Sequence, residues 1–110
     1  MYETLDRQKL EEKFAADEDF ELIEVLEPED YEQSHIKGAI NIPLSELGRE
    51  VKGRFDTNQD LVVYCSDINC GASPTAAEKL DNLGFENVYD YEGGKKDWRE
   101  AGNPMAGQKH

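Results

Sequence analysis

The chain has 110 residues, of which 34% are charged and 37% hydrophobic, with a net charge of −13. That suits one domain with a modest core over residues 1–110, and the negative charge excludes nucleic acid and anionic membrane surfaces as favoured partners. A solvated acidic surface, or a basic protein partner, is compatible with it. The opening Met1-Tyr2-Glu3-Thr4-Leu5-Asp6 has neither the basic nor the apolar region of a signal peptide, and no apolar run approaches a membrane span. The expectation is therefore a cytoplasmic protein whose two cysteines are reduced thiols.

Residues 4–16 are rich in helix formers around Leu5, Leu10 and Phe14 and predict an N-terminal helix within 1–17, broken by Asp17-Glu18-Asp19. The alternating 20–26 run FELIEVL predicts a strand. Pro28 opens a short helical turn over 28–34, and 35–43 (HIKGAINIP) predicts a turn with a brief strand. Ser45 is an N-cap candidate for a helix with Leu47, Val51 and Phe55 on one face. After a loop over 56–60, Leu61-Val62-Val63-Tyr64 predicts a buried strand that ends at Cys65. Ser73 and Pro74 fit the N-cap and first position of a further helix, Ala76, Ala77, Leu80 and Leu83 form its apolar stripe, and Gly84 stops it. A strand over 87–91, a turn at Glu92-Gly93-Gly94 and a last helix over 95–101 with Trp98 inward complete the pattern, leaving 103–110 as a tail, flexible from 105. Strands alternating with helices predict an α/β fold: a small, doubly wound, mainly parallel sheet with helices on both faces.

The chemistry centres on Cys65. It sits at the carboxyl end of a predicted strand, in a loop leading to a helix N-terminus, the crevice where open α/β sheets bind ligands. Backbone N–H groups and the helix dipole there favour an anion, including a thiolate.

Three stretches resemble the single-domain rhodanese (sulfurtransferase-like) family. Residues 21–43, ELIEVLEPEDYEQSHIKGAINIP, resemble its N-terminal signature; 62–77 resemble the active-site strand, loop and helix; and 83–104, LGFENVYDYEGGKKDWREAGNP, resemble the C-terminal signature ending in GGxxxW. The resemblance implies a doubly wound α/β fold and a cysteine, Cys65 by position, that carries sulfur as a persulfide. It implies a sulfur donor (thiosulfate or a persulfide) and a thiol acceptor as partners, with no cofactor and no metal. Family members place an arginine after the cysteine and four further residues, just before the Ser or Thr that starts the helix. Here Ser66, Asp67, Ile68, Asn69, Cys70, Gly71 and Ala72 precede Ser73, a loop two residues longer and without arginine, and Glu24-Val25-Leu26 stands where many members read Asp-Val-Arg.

The backbone from Ser66 to Ser73 is the expected anion and persulfide cradle. Asp67 is expected to oppose thiolate formation, and thiosulfate activity is expected to be weak for want of the arginine. Cys70 has three readings: a resolving thiol toward Cys65, a second sulfur carrier, or a packing residue of the longer loop. His35 reads as a packing and hydrogen-bonding residue of its turn, and His110 as a terminal residue. Tyr31, Phe85, Tyr89 and Trp98 read as core or semi-core, and Lys95, Lys96 and Arg99 as a solvated helix face or, alternatively, as cations that attract an anionic donor to the crevice. Three functions compete. The first is a sulfurtransferase using Cys65, and the second a non-catalytic protein-interaction or thiol redox module using Cys65 and Cys70. The third is a phosphatase or arsenate reductase, which the missing arginine disfavours.

Overall fold

A computed structural model of the chain describes residues 2–107. Its elements run β1 (Glu3–Leu5), α1 (Arg7–Ala15), β2 (Phe20–Glu24), α2 (Pro28–Gln33), β3 (His35–Ile36), β4 (Ile40–Asn41), α3 (Leu44–Glu50), β5 (Asp60–Tyr64), α4 (Ala72–Asn82), β6 (Asn87–Tyr91), α5 (Gly94–Glu100) and β7 (Met105–Ala106). The first, sixth, fifth, second and fourth strands form one sheet in the order β1-β6-β5-β2-β4, every pair parallel. The α/β architecture expected from the sequence is the observed one.

Burial on both faces explains why β5 is apolar from Leu61 to Tyr64. Leu61 and Val63 point into one core with Val51, Ala76, Ala77 and Leu80 of the α3 and α4 side. Val62 and Tyr64 point into the other, with Leu10 of α1 and Trp98 of α5. A parallel strand covered on both faces must be apolar at even and odd positions alike. The α4 helix stops as anticipated: Gly84 has φ 99°, its N–H reaches the Asp81 carbonyl at 3.1 Å, and the Phe85 N–H reaches the Leu80 carbonyl at 3.2 Å.

Several boundaries differ from expectation. Residues 3–5 are not helical. They add a parallel edge strand against β6, and Asp6 caps α1 by accepting the Lys9 N–H at 2.9 Å. Helix propensity lost there to a ladder that a single sequence window cannot see. Ser45 and Ser73 are not N-caps. The third helix begins at Leu44, whose N–H is taken by the Val25 carbonyl at 3.1 Å, and α4 begins at Ala72 after Gly71. Ser73 lies within the first turn, buried, with its hydroxyl turned to Asp90. Residues 105–106 are not a free tail but pair antiparallel with β3, with His35 opposite Ala106. His110 lies outside the described residues. Among the described residues no helix is long and apolar enough to cross a membrane.

Candidate active site

The Cys65 position is built by three elements. The β5 strand delivers the residue at its carboxyl end, α4 follows the loop, and α5 approaches from the other core. The α5 backbone touches the loop directly: Lys95 N–H donates to the Cys65 carbonyl at 3.0 Å and Lys96 N–H to the Ser66 carbonyl at 2.9 Å. This contact requires glycine. Gly94 has φ 69°, and a Cβ there would lie 2.6 Å from the Cys65 carbonyl oxygen and 2.7 Å from the Ser66 carbonyl carbon. The sequence marked Gly93-Gly94 only as a turn; the second glycine also lets a helix start press against the loop.

Within the loop, Asp67 organises the backbone. Its carboxylate accepts the Asn69 N–H at 3.0 Å and its carbonyl accepts the Cys70 N–H at 3.1 Å, a turn that folds Cys70 back over Cys65. Two amides of the expected cradle, those of Asn69 and Cys70, are therefore already engaged inside the loop. Ile68 at the loop tip is 66% exposed.

Cys65 is 1% exposed, and its Sγ is bonded to Cys70 Sγ with the two Cα atoms 6.4 Å apart. The expectation of two reduced thiols is thus corrected for this state. The spacing carries the reason: the Asp67 turn brings residues five apart into the Cα range that a disulfide bridges without backbone movement.

Beside the loop, Asp67, Ile68 and Asn69 form one wall of a cleft of about 390 Å³, completed by residues of β1, α1 and α5. Asp6, Asp67, Glu92, Asp97 and Glu100 line it against two cations, Arg7 and Lys96, and Arg7 is itself paired with Asp97 at 2.9 Å. Cys65 does not line this cleft, and the walls offer an incoming anion little attraction.

A second polar cluster lies under the site and was not anticipated. Glu24, fully buried at the end of β2, accepts from Lys95 Nζ at 3.0 Å and from Tyr64 OH at 2.9 Å. The Tyr64 oxygen accepts the Ile36 N–H at 3.1 Å, and Lys95 Nζ also donates to the carbonyls of Ser34 at 2.8 Å and Asp30 at 3.0 Å. Lys95 is therefore buried rather than part of a solvated face; Lys96 and Arg99 are its more exposed neighbours. Burial raises the Glu24 carboxyl above the usual range against the pull of Lys95, and burial with the nearby Glu24 charge holds the Tyr64 phenol protonated. The signal was present in FELIEVL, where Glu24 shares a strand face with Leu22.

Asp90 on β6 is the other missed residue. It is buried and raised chiefly by desolvation, then further by Glu92, while the Ser73 hydroxyl offsets part of this; its Oδ1 has no hydrogen-bond partner. His35 fills the structural part expected of it: Nδ1 donates to the Tyr31 carbonyl at 2.8 Å and its ring stacks on Tyr31 with centroids 3.7 Å apart.

The sequence and the fold are similar to those of known proteins. A model of the rhodanese-like domain matches residues 6–101. The chain is 42% identical over 77 residues to thiosulfate sulfurtransferase PspE of Escherichia coli (strain K12), covering 68% of this chain and 70% of that one. It is 40% identical over 78 residues to the uncharacterized protein YqhL of Bacillus subtilis (strain 168), covering 71% of this chain and 60% of that protein. It spans between 36% and 48% of the length of several further relatives. The solution NMR structure of the rhodanese-like domain from the Anabaena sp. Alr3790 protein superposes with a TM-score of 0.88 at 25% identity, over 98% of this chain and 81% of that one.

Proposed function

This chain belongs to the family of rhodanese-like domains, and on that footing we propose that it is a sulfurtransferase carrying sulfane sulfur as a persulfide on Cys65. The observation that carries the reading is the placement of Cys65: at the carboxyl end of the central β5 strand, in the loop that enters α4, in a domain of this family. Relatives named as thiosulfate sulfurtransferases support the same class of chemistry.

In the transfer, the Cys65 thiolate attacks the outer sulfur of the donor. With thiosulfate, the sulfur–sulfur bond breaks, sulfite leaves with the electron pair, and Cys65 holds the outer sulfur as a persulfide. An acceptor thiolate then takes that sulfur and Cys65 returns to the thiolate. The start of α4 supplies positive dipole to the cysteine and its persulfide. For the donor anion the loop supplies no arginine, and the neighbouring walls are mainly acidic. Thiosulfate turnover is therefore expected to lie on the order of a hundredfold below that of arginine-containing relatives, the effect of removing one charged donor from such a site. A persulfide donor, which leaves as a thiolate and needs no oxyanion clamp, is expected to be preferred. Steady-state assays with the two donors decide this, and equal turnover to an arginine-containing relative would refute it.

A second reading, a thiol redox or partner-binding module without sulfur transfer, is favoured by the bonded and buried state of Cys65. Intact mass after reduction and exposure to thiosulfate or glutathione persulfide separates the two. One sulfur retained by, or released as sulfide from, the wild type but not Cys65→Ser supports the carrier; no uptake or release in either moves the assignment to the module.

A further inference from the structure

Cys70 has no part in the transfer just described, yet its sulfur is the group in contact with Cys65. Resting on the carrier reading of Cys65, we propose that Cys70 is a catalytic thiol that resolves the Cys65 persulfide by releasing sulfide, making the domain a dithiol-driven sulfane-sulfur reductase.

The geometry selects which sulfur Cys70 attacks. The Asp67 turn holds the Cys70 backbone through its own N–H, and Cys70 Sγ reaches Cys65 Sγ, the inner sulfur of a persulfide. Attack on the inner sulfur forms the Cys65–Cys70 bond and breaks the bond to the outer sulfur, which leaves with the electron pair as hydrosulfide. The persulfide's hydrogen stays with the outer sulfur, and the Cys70 proton completes hydrogen sulfide. Both cysteine sulfurs are oxidised to the disulfide and the sulfane sulfur is reduced to sulfide, so no outside oxidant enters. A thiol five residues away in one loop acts at far higher effective concentration than a free acceptor.

The bonded state in the structure is then the product of this step. It accepts no further sulfur until a dithiol reductant gives two electrons and two protons to the pair, becoming a disulfide itself. Supply of such a dithiol, rather than of a sulfur acceptor, sets the turnover.

A single turnover without added thiol tests this. Wild type and Cys70→Ser are reduced, freed of reductant under anaerobic conditions, and given one equivalent of glutathione persulfide; released sulfide and intact mass are then read. The wild type is expected to release about one sulfide per chain and lose two hydrogens, while Cys70→Ser keeps the added sulfur and releases roughly a tenth as much. Cys70→Ala serves as a second variant should the serine disturb the loop, and sulfur gained by either variant shows that its site is formed. Wild type that stably retains the added sulfur, or a Cys70 variant that releases sulfide as fast as wild type, overturns the proposal while leaving Cys65 a carrier. Neither uptake nor sulfide in any form overturns the carrier reading and this proposal with it.

Discussion

The ends of β2 and β5 lie side by side, with Glu24 opposite Tyr64, and the two polar regions built there differ in kind. The Glu24–Lys95–Tyr64 cluster joins residues up to 71 apart in sequence and satisfies the ammonium from three directions. The Cys65–Cys70 loop closes over five residues, is organised by its own Asp67, and carries an exposed Ile68. A long-range buried ion pair positions the frame, because removing either partner strands a charge away from water. The Cys65–Cys70 bond instead joins two residues of one loop and ties no distant elements together. Lys95 belongs to both regions: its ammonium binds Glu24 and its backbone N–H binds the Cys65 carbonyl. The Cys65 loop is thereby tied to the buried ion-pair cluster.

Substitutions that separate the two regions sharpen this contrast. The largest functional effect belongs to Cys65→Ser, which is expected to reduce sulfur uptake to background by mass spectrometry with little change in the Glu24 cluster. The largest effect on stability belongs to Lys95→Met, expected to cost about 3–5 kcal/mol in urea unfolding because the Glu24 carboxylate is left buried without its partner. Adding Glu24→Leu to Lys95→Met is expected to recover much of that loss; if the double variant is no better than the single, the cost lies elsewhere than in the stranded charge.

Gly94→Ala strikes the junction between the regions. Its Cβ would meet the backbone of residues 65–67, and its left-handed φ disfavours a side chain, so a loss of about 3 kcal/mol is expected. Gly84→Ala, where a Cβ meets nothing within 4 Å, provides the control for conformational strain alone. Equal losses at the two glycines would remove the case for close packing at Gly94.

The smallest effect is a gain. Asp90 has a folded-state pKa above its unfolded value, so its ionisation opposes folding once the pH exceeds the unfolded value, and the penalty is complete above the folded value. Asp90→Asn is therefore expected to stabilise the domain by about 1 kcal/mol at neutral pH. That advantage should shrink as acid protonates Asp90 in the wild type, and a gain that persists unchanged at low pH would refute its electrostatic origin.

The sites that were hard to read in the sequence share a cause. Cys65 stood out because a local pattern, an apolar strand running into a small-residue loop and a helix, positions it wherever the rest of the chain lies. Ser73 and Ser45 looked like caps by the same local logic. In the fold, Ser73 turns to Asp90, while backbone partners distant in sequence receive the start of α3. Lys95 read as surface because a lysine after a glycine turn has no local reason to be buried; its reason is Glu24, at the end of β2.

Strand and helix alternation, the doubly covered β5, the Gly84 stop and the position of Cys65 followed from the amino-acid sequence alone, since each depends on side-chain periodicity or on conformational preferences acting over a few residues. Tertiary structure decided which polar groups became partners. It added β1 to the sheet edge, tied residues 105–106 to β3, buried Lys95 on Glu24, and brought Cys70 onto Cys65. Hydrogen bonds are short-ranged and directional, and charges in water attract only weakly until they are brought close together, so the partners exist only once the chain has folded.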